Sequence, residues 1–329
     1  MKPSPKRSID IPLRSPVLAM ALTVALSTAI FITGALFIPG LAVAQNRVAL
    51  EREGYPMAFQ NGTRVVTIDR QPSKILALGL GASELLIELG LADLVVGRTS
   101  EWPEGAYPPR YAQALAEIPK IDSDKVLTLE TENDGPDFVY GQFGPTTPDP
   151  AFLKSYRILA TNKKQFFIEV QDLGKIFNVE DRANAFLGEL EKKLAQLSSK
   201  LNEADPVTVL VVRDLTKDAL LTSGGPDFAT EILHLAGARN VFSDLGPSPK
   251  PPTDEAASRK PNYVLVVDDG GTPLSDKILA LRSDPVLSLL PAVAQNRLLT
   301  LHESYLLPGP RIAESAELLA KKFHPSLIR

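Results

Sequence analysis

Ala82-Ser83-Glu84-Leu85-Leu86-Ile87-Glu88-Leu89-Gly90 leads into Leu94-Val95, and Ala229-Thr230-Glu231-Ile232-Leu233-His234-Leu235-Ala236-Gly237 leads into Val241-Phe242. Both stretches open on a small residue, a hydroxyl residue, Glu and two aliphatics, and both close on Gly at the same spacing. The pattern predicts a helix capped near Ser83 and stopped by a glycine that can turn left-handed. A unit that recurs this closely points to a duplicated architecture, the alternative being two α/β units that simply share helix caps and strand patterns. A second echo follows each copy. Glu130 stands six residues before Pro136 in Pro136-Asp137-Phe138-Val139, and Glu255 six before Pro261 in Pro261-Asn262-Tyr263-Val264. Each half therefore sets an acid one short segment ahead of a buried strand.

Strands and helices alternate outward from these copies. Asn61-Gly62 predicts a hairpin turn before Val65-Val66-Thr67-Ile68. Continuous apolar runs predict strands at Lys74–Leu78, Leu94–Gly97, Phe138–Tyr140, Val207–Val212, Tyr263–Val267 and Leu298–Leu301, with a further one at Arg157–Leu159. From about Phe166 to Leu201 apolar residues recur at helical spacing, with a break at Asn178, and Ile312 to Phe323 forms a last amphipathic helix. Such alternation predicts an α/β fold of two Rossmann-like lobes with parallel sheets, joined by a long helix, with a ligand cleft between the lobes. The expected boundaries are a signal peptide at 1–44, an N-terminal lobe at 45–165, a connecting helical segment at 166–204 and a C-terminal lobe at 205–329.

Residues 1–15 carry Lys2, Lys6, Arg7 and Arg14 against Asp10. An apolar run then reaches Ile38, Pro39-Gly40 breaks it, and Ala42-Val43-Ala44 precedes Gln45. This is the layout of a cleavable secretory signal. The alternative is an uncleaved anchor, because the run is long enough to span a bilayer. Cleavage leaves about 285 residues and moves the net charge from −4 to −7. Of the 329 residues, 44% are hydrophobic and 22% charged, enough for two lobes with proper cores. The acidic balance argues against nucleic acid as a partner. The absence of cysteine removes disulfides, thiolate catalysis, Cys-ligated zinc, iron–sulfur clusters and lipidation through Cys. His234, His302 and His324 are the only histidines, too few for a His-rich site holding a bare metal ion.

Ligands of parallel sheets bind beyond the carboxyl ends of the strands. The loops reaching that edge are Gly79–Ser83, Gly97–Tyr107, Tyr140–Thr147, Arg213–Pro226, Asp268–Pro273 and His302–Pro310. Arg98, Arg213 and Arg311 are candidates for holding anionic groups. Trp102, Tyr107, Tyr140 and Tyr305 are candidates for stacking on a bulky ligand. Each has an ordinary alternative, core packing for the aromatics and a structural or solvated role for the arginines.

Further stretches carry a resemblance. These are Ile75-Leu76-Ala77-Leu78-Gly79 with Ser83-Glu84-Leu85-Leu86, Leu89-Gly90-Leu91-Ala92-Asp93-Leu94-Val95-Val96-Gly97, Pro136-Asp137-Phe138-Val139, Leu173-Gly174-Lys175-Ile176-Phe177 with Glu180-Asp181-Arg182-Ala183, Ala236-Gly237-Ala238-Arg239-Asn240-Val241-Phe242, and Pro308-Gly309-Pro310-Arg311. In order and spacing they resemble the periplasmic solute-binding proteins of ABC importers for ferric siderophores, haem and cobalamin, from about Arg64 to Pro325. The resemblance implies two lobes bridged by a helix and only a small closing motion. It also implies one Glu per lobe that docks with arginines of an inner-membrane permease, matched here by Glu130 and Glu255. Where that family has an aliphatic helix after the first Glu, this chain has Thr131-Glu132-Asn133-Asp134-Gly135, which leaves Glu132 as an alternative to Glu130.

An enzyme is the first rival. Gly79-Leu80-Gly81-Ala82-Ser83-Glu84 only partly matches a dinucleotide fingerprint, there is no G-x-S-x-G, and Asp268-Asp269 sits in a Gly-rich turn. A receptor for a bare metal ion is the second rival. The sequence is best explained as a non-enzymatic, monomeric periplasmic receptor with no cofactor or metal ligands of its own. Its expected ligand is a ferric siderophore-type chelate, with a corrinoid or haem as the alternatives. Without a cysteine after the leader the lipid-anchored form is excluded, so the receptor is expected to diffuse freely.

Overall fold

The computed structural model describes residues 54–99, 108–122, 135–142, 154–216 and 220–328. A hairpin opens it: β1 (Met57–Asn61) pairs antiparallel with β2 (Arg64–Ile68), and Gly62 takes φ 64° at the turn. The first sheet comprises β3 (Ile75–Leu78), β4 (Val95–Thr99), β5 (Lys120–Ile121), β6 (Phe138–Gly141) and β7 (Lys154–Arg157), all parallel in the order β5-β4-β3-β6-β7. Its helices are α1 (Leu80–Glu88) and α2 (Pro109–Glu117). Then come α3 (Lys163–Ile176) and α4 (Glu180–Lys200), divided where Asn178 takes φ 52°. At 1.5 Å per residue α4 runs about 31 Å.

The second sheet begins with β8 (Val207–Val212). A small antiparallel pair follows, β9 (Asp214–Leu215) with β10 (Leu220–Leu221), then α5 (Phe228–Leu235), β11 (Ala238–Asn240) and α6 (Thr253–Ser258). After β12 (Tyr263–Asp268) come α7 (Leu274–Ser283), α8 (Pro291–Ala294), β13 (Leu298–His302) and α9 (Ile312–Phe323). The order is β11-β8-β12-β13, again parallel. The short β5 aside, the sheets share one connectivity: β4-β3-β6-β7 corresponds to β11-β8-β12-β13.

The duplicated sequence has a physical cause in each copy. Gly90 (φ 67°) and Gly237 (φ 74°) end the corresponding helices in the left-handed region. The residue after the repeated proline ties two strand starts together. Asp137, before β6, accepts hydrogen bonds from the Ser73 and Lys74 backbone N–H groups ahead of β3. Asn262, before β12, accepts from the Thr208 N–H and Oγ1 at the start of β8. One detail differs from expectation. α1 starts at Leu80, with Gly79 (φ 91°) as its N-terminal boundary, so Ser83 lies inside the helix rather than capping it. In the second copy the strand is Ala238–Asn240, and Val241-Phe242 follow it.

Side-chain alternation explains the layering. Along β8, Val209 and Val211 face one side, and Leu210 and Val212 the other. The first side belongs to one continuous apolar core. That core runs from Ile75, Ala77 and Phe138 of the first sheet through α1, α3 and α4 to α5, α9 and the second sheet. α4 packs against α3, α5 and α9 and buries Ala183, Leu187, Leu190, Leu194 and Leu197. The second core, on the far side of the second sheet, is separate. Close-packed interiors resist shear, so a core common to both sheets disfavours large hinge motion between them.

Candidate functional site

The carboxyl ends of the two sheets meet. Gly81, after β3, lies so close to Pro308, after β13, that a Cβ at Gly81 would stand 2.4 Å from the Pro308 carbonyl oxygen. One turn further along α1, Glu84 is 1% exposed and forms an ion pair with Arg311, itself 2% exposed. Arg311 Nε donates to both Glu84 oxygens at 3.0 and 2.9 Å, and its Nη1 donates to Ser304 Oγ at 3.0 Å. The equivalent residue of the second copy, Glu231, also crosses between lobes: its Oε1 accepts from the Lys163 backbone N–H at 3.0 Å. Phe166 and Phe228 stack edge-to-face beside it, 6.3 Å between centroids. The two repeated glutamates are therefore reciprocal fasteners between the lobes.

On the second sheet the strand ends carry a dense charge network. Arg213, after β8, donates to Ser223 Oγ (2.9 Å), Glu303 Oε1 (2.8 Å) and Asp227 (3.2 Å to Oδ2). Lys277 has no exposed surface and uses all three of its donors, on the Arg213 carbonyl (2.6 Å), the Val267 carbonyl (2.9 Å) and Asp269 Oδ1 (2.8 Å). Burial alone would raise the Asp269 carboxyl, but Lys277 holds it below the usual carboxylate range. Asp268 and His302 pair in register at the ends of β12 and β13. Burial lowers the His302 pKa against the opposing pull of Asp268, so its ring is neutral at pH 7.

The expected site residues separate into groups. Arg213 and Tyr305 lie partly exposed at the carboxyl edge. Arg98 does not: it is 4% exposed, and its Nε and Nη2 donate to the Leu115 carbonyl on the α2 flank of the sheet. Tyr140 is 1% exposed inside the core, its hydroxyl donating to Glu169. Arg311 is spent on Glu84 and Ser304, with its guanidinium 5.1 Å from the Tyr305 ring centroid. Tyr140, Arg98 and Arg311, expected to stack on a ligand or to hold anions, are thus buried on internal partners. Trp102, Tyr107 and Glu130 lie outside the described residues, as does the leader at 1–44. Glu255 sits in the first turn of α6 with its side chain 39% exposed and one oxygen 2.7 Å from Arg259 Nη2. The histidines are dispersed. His234 is exposed on α5, His302 contacts Ser304 Oγ, and His324 contacts the Gly237 carbonyl.

Comparison with known proteins agrees with this geometry. The periplasmic binding protein family model matches residues 75–305. The chain is 24% identical over 293 residues to an uncharacterized ABC transporter substrate-binding lipoprotein, YvrC, of Bacillus subtilis, covering 84% of this chain and 88% of that protein. It is 23% identical over 263 residues to the vitamin B12-binding protein of Photorhabdus laumondii, covering 77% and 88% respectively. The crystal structure of an ABC-type Fe3+-hydroxamate transport system from Saccharomonospora viridis aligns with a TM-score of 0.70 at 19% identity, over 82% of this chain and 99% of that one. With its two linked parallel sheets and a family match spanning most of the sequence, the chain belongs to the periplasmic binding protein family.

Proposed function

We propose that this chain is the substrate-binding component of an ABC importer. It captures an iron–siderophore-type chelate between the lobes and delivers it to an inner-membrane permease. The observation that carries this reading is the convergence of both carboxyl edges, Gly81 against Pro308 and Glu84 on Arg311, at the place where ligands of parallel sheets bind. The names of the Bacillus and Saccharomonospora relatives support the transport class. The Photorhabdus relative favours a corrinoid as the second choice. Dispersed histidines favour a metal that arrives with its own ligands. The basic, apolar and Ala-x-Ala layout of residues 1–44 supports export.

Native mass spectrometry of residues 45–329 with ferric hydroxamates, ferric catecholates, haem and cobalamin tests the reading. At least one is expected to bind with Kd below about 10 μM; if none does, the receptor assignment fails. The docking assignment has its own test. Glu130→Ala combined with Glu255→Ala is expected to abolish uptake while ligand binding survives, since a carboxylate meeting a permease arginine is a charge-assisted latch. Undiminished uptake by the double variant would remove these glutamates from the docking surface.

A further inference from the structure

We infer that the chelate this receptor carries is neutral or cationic, not anionic. The inference rests on the receptor reading above and concerns the charge that its ligand edge presents. Among the described residues, each arginine expected to attract an anion is already committed. Arg98 is buried against the Leu115 carbonyl, and Arg311 is neutralised by Glu84. Arg213 is matched by two carboxylates, Glu303 and Asp227. Lys277, the cation beneath the strand ends, is fully buried and paired with Asp269.

What remains at the edge is acidic. Asp268 has no ion-pair partner among the described residues, its Oδ1 accepting only from the Gly270 backbone N–H. Glu303 reaches Arg213 through one oxygen and keeps the other. His302, beside Asp268, adds no positive charge at pH 7. In the described parts of the edge loops the acids Asp214, Asp268, Asp269 and Glu303 outnumber the bases Arg98 and Arg213. An acidic rim raises the local concentration of cations and repels anions. A ferric tris-catecholate carries three negative charges and haem two propionates. A ferric trihydroxamate is neutral, or cationic when its chelator bears a free amine. The rim fits the hydroxamate class.

Quenching of Trp102 by three iron chelates tests this: a neutral trihydroxamate, an amine-bearing trihydroxamate and a tris-catecholate. The neutral and cationic chelates are expected to bind at least about tenfold more tightly than the trianion, and added salt should narrow that gap. Asp268→Asn with Glu303→Gln, which also releases Arg213, is expected to strengthen trianion binding by about tenfold and weaken binding of the cation. The salt response of the unaltered protein decides the matter should that variant fold poorly. Tighter binding of the tris-catecholate by the unaltered protein overturns the charge assignment and leaves the receptor reading intact. Failure of all three to bind, with cobalamin and haem also failing, overturns the receptor reading and this inference with it.

Discussion

Arg311→Met, with Glu84 left in place, is expected to destabilise the fold by about 3–5 kcal/mol, the usual cost of stranding one partner of a buried ion pair. The geometry sets the size of the effect. Glu84 is 1% exposed on a helix beside the buried Ala82, Leu85 and Leu86, and Arg311 is the cation on its oxygens. Water cannot replace the guanidinium there. Removing both charges, Glu84→Leu with Arg311→Met, should recover most of the loss, because two well-packed apolar residues incur no desolvation cost. Urea denaturation of the two single variants and the double variant gives the coupling directly. The same cycle separates fastening from ligand capture. A fastener changes stability and couples strongly to Glu84. A ligand anchor would weaken chelate binding with little coupling, and that pattern would refute the structural role.

Most of the fold was legible because it is written twice. The repeated Glu-aliphatic helix, its terminal glycine and the proline before the next strand each answer to one local requirement. Those requirements are a left-handed stop at Gly90 and Gly237, and a side chain at Asp137 and Asn262 that ties neighbouring strand starts. Local requirements leave local signals. The site was less legible, because its decisive contacts are remote in sequence. Glu84 and Arg311 stand 227 residues apart, and no spacing rule connects them. A signal did exist: an acid set at the same position of two repeated helices, directly before two aliphatic residues, is costly unless partnered. Read that way, Glu84 and Glu231 announce two crossing contacts. Arg98 and Tyr140 show the opposite difficulty. Both lie near the carboxyl end of a strand, but successive side chains point to opposite faces. Arg98 goes to the α2 flank and Tyr140 into the core. Lys277 carried no sequence signal, since its three acceptors converge only when α7 packs beneath β8 and β12.

Glu169→Gln is expected to remove a large part of the stability lost by the protein between mildly acidic and alkaline pH. Glu169 lies on α3, 4% exposed, and accepts the Tyr140 hydroxyl. Burial, with Asp172 adding to it, pushes its carboxyl up to about 8, although the bonds from Tyr140 and the Leu159 backbone pull the other way. Nearby, Tyr156 donates to Asp172 Oδ2 at 2.6 Å, and burial raises the Asp172 carboxyl too. The sign follows from proton binding. Unfolded, Glu169 titrates near its ordinary value of about 4.3. Below that pH both states hold the proton and the favourable contribution is complete. From there to about pH 8 the folded protein keeps the proton while the unfolded chain loses it, so stability falls as pH rises. A shift of this size corresponds to at most about 5 kcal/mol across the window. Glutamine keeps an acceptor for Tyr140 and cannot ionise. The stability difference between the variant and the unaltered protein should therefore move in the variant's favour by a few kcal/mol from pH 5 to pH 8. Taking the difference cancels the contributions of the other titrating groups, including His302, whose lowered pKa acts with the opposite sign. Urea midpoints of both proteins at pH 5, 6.5 and 8 measure it. Parallel pH profiles would mean that Glu169 is ionised in the folded protein and that Tyr140 hydrogen-bonds a buried carboxylate.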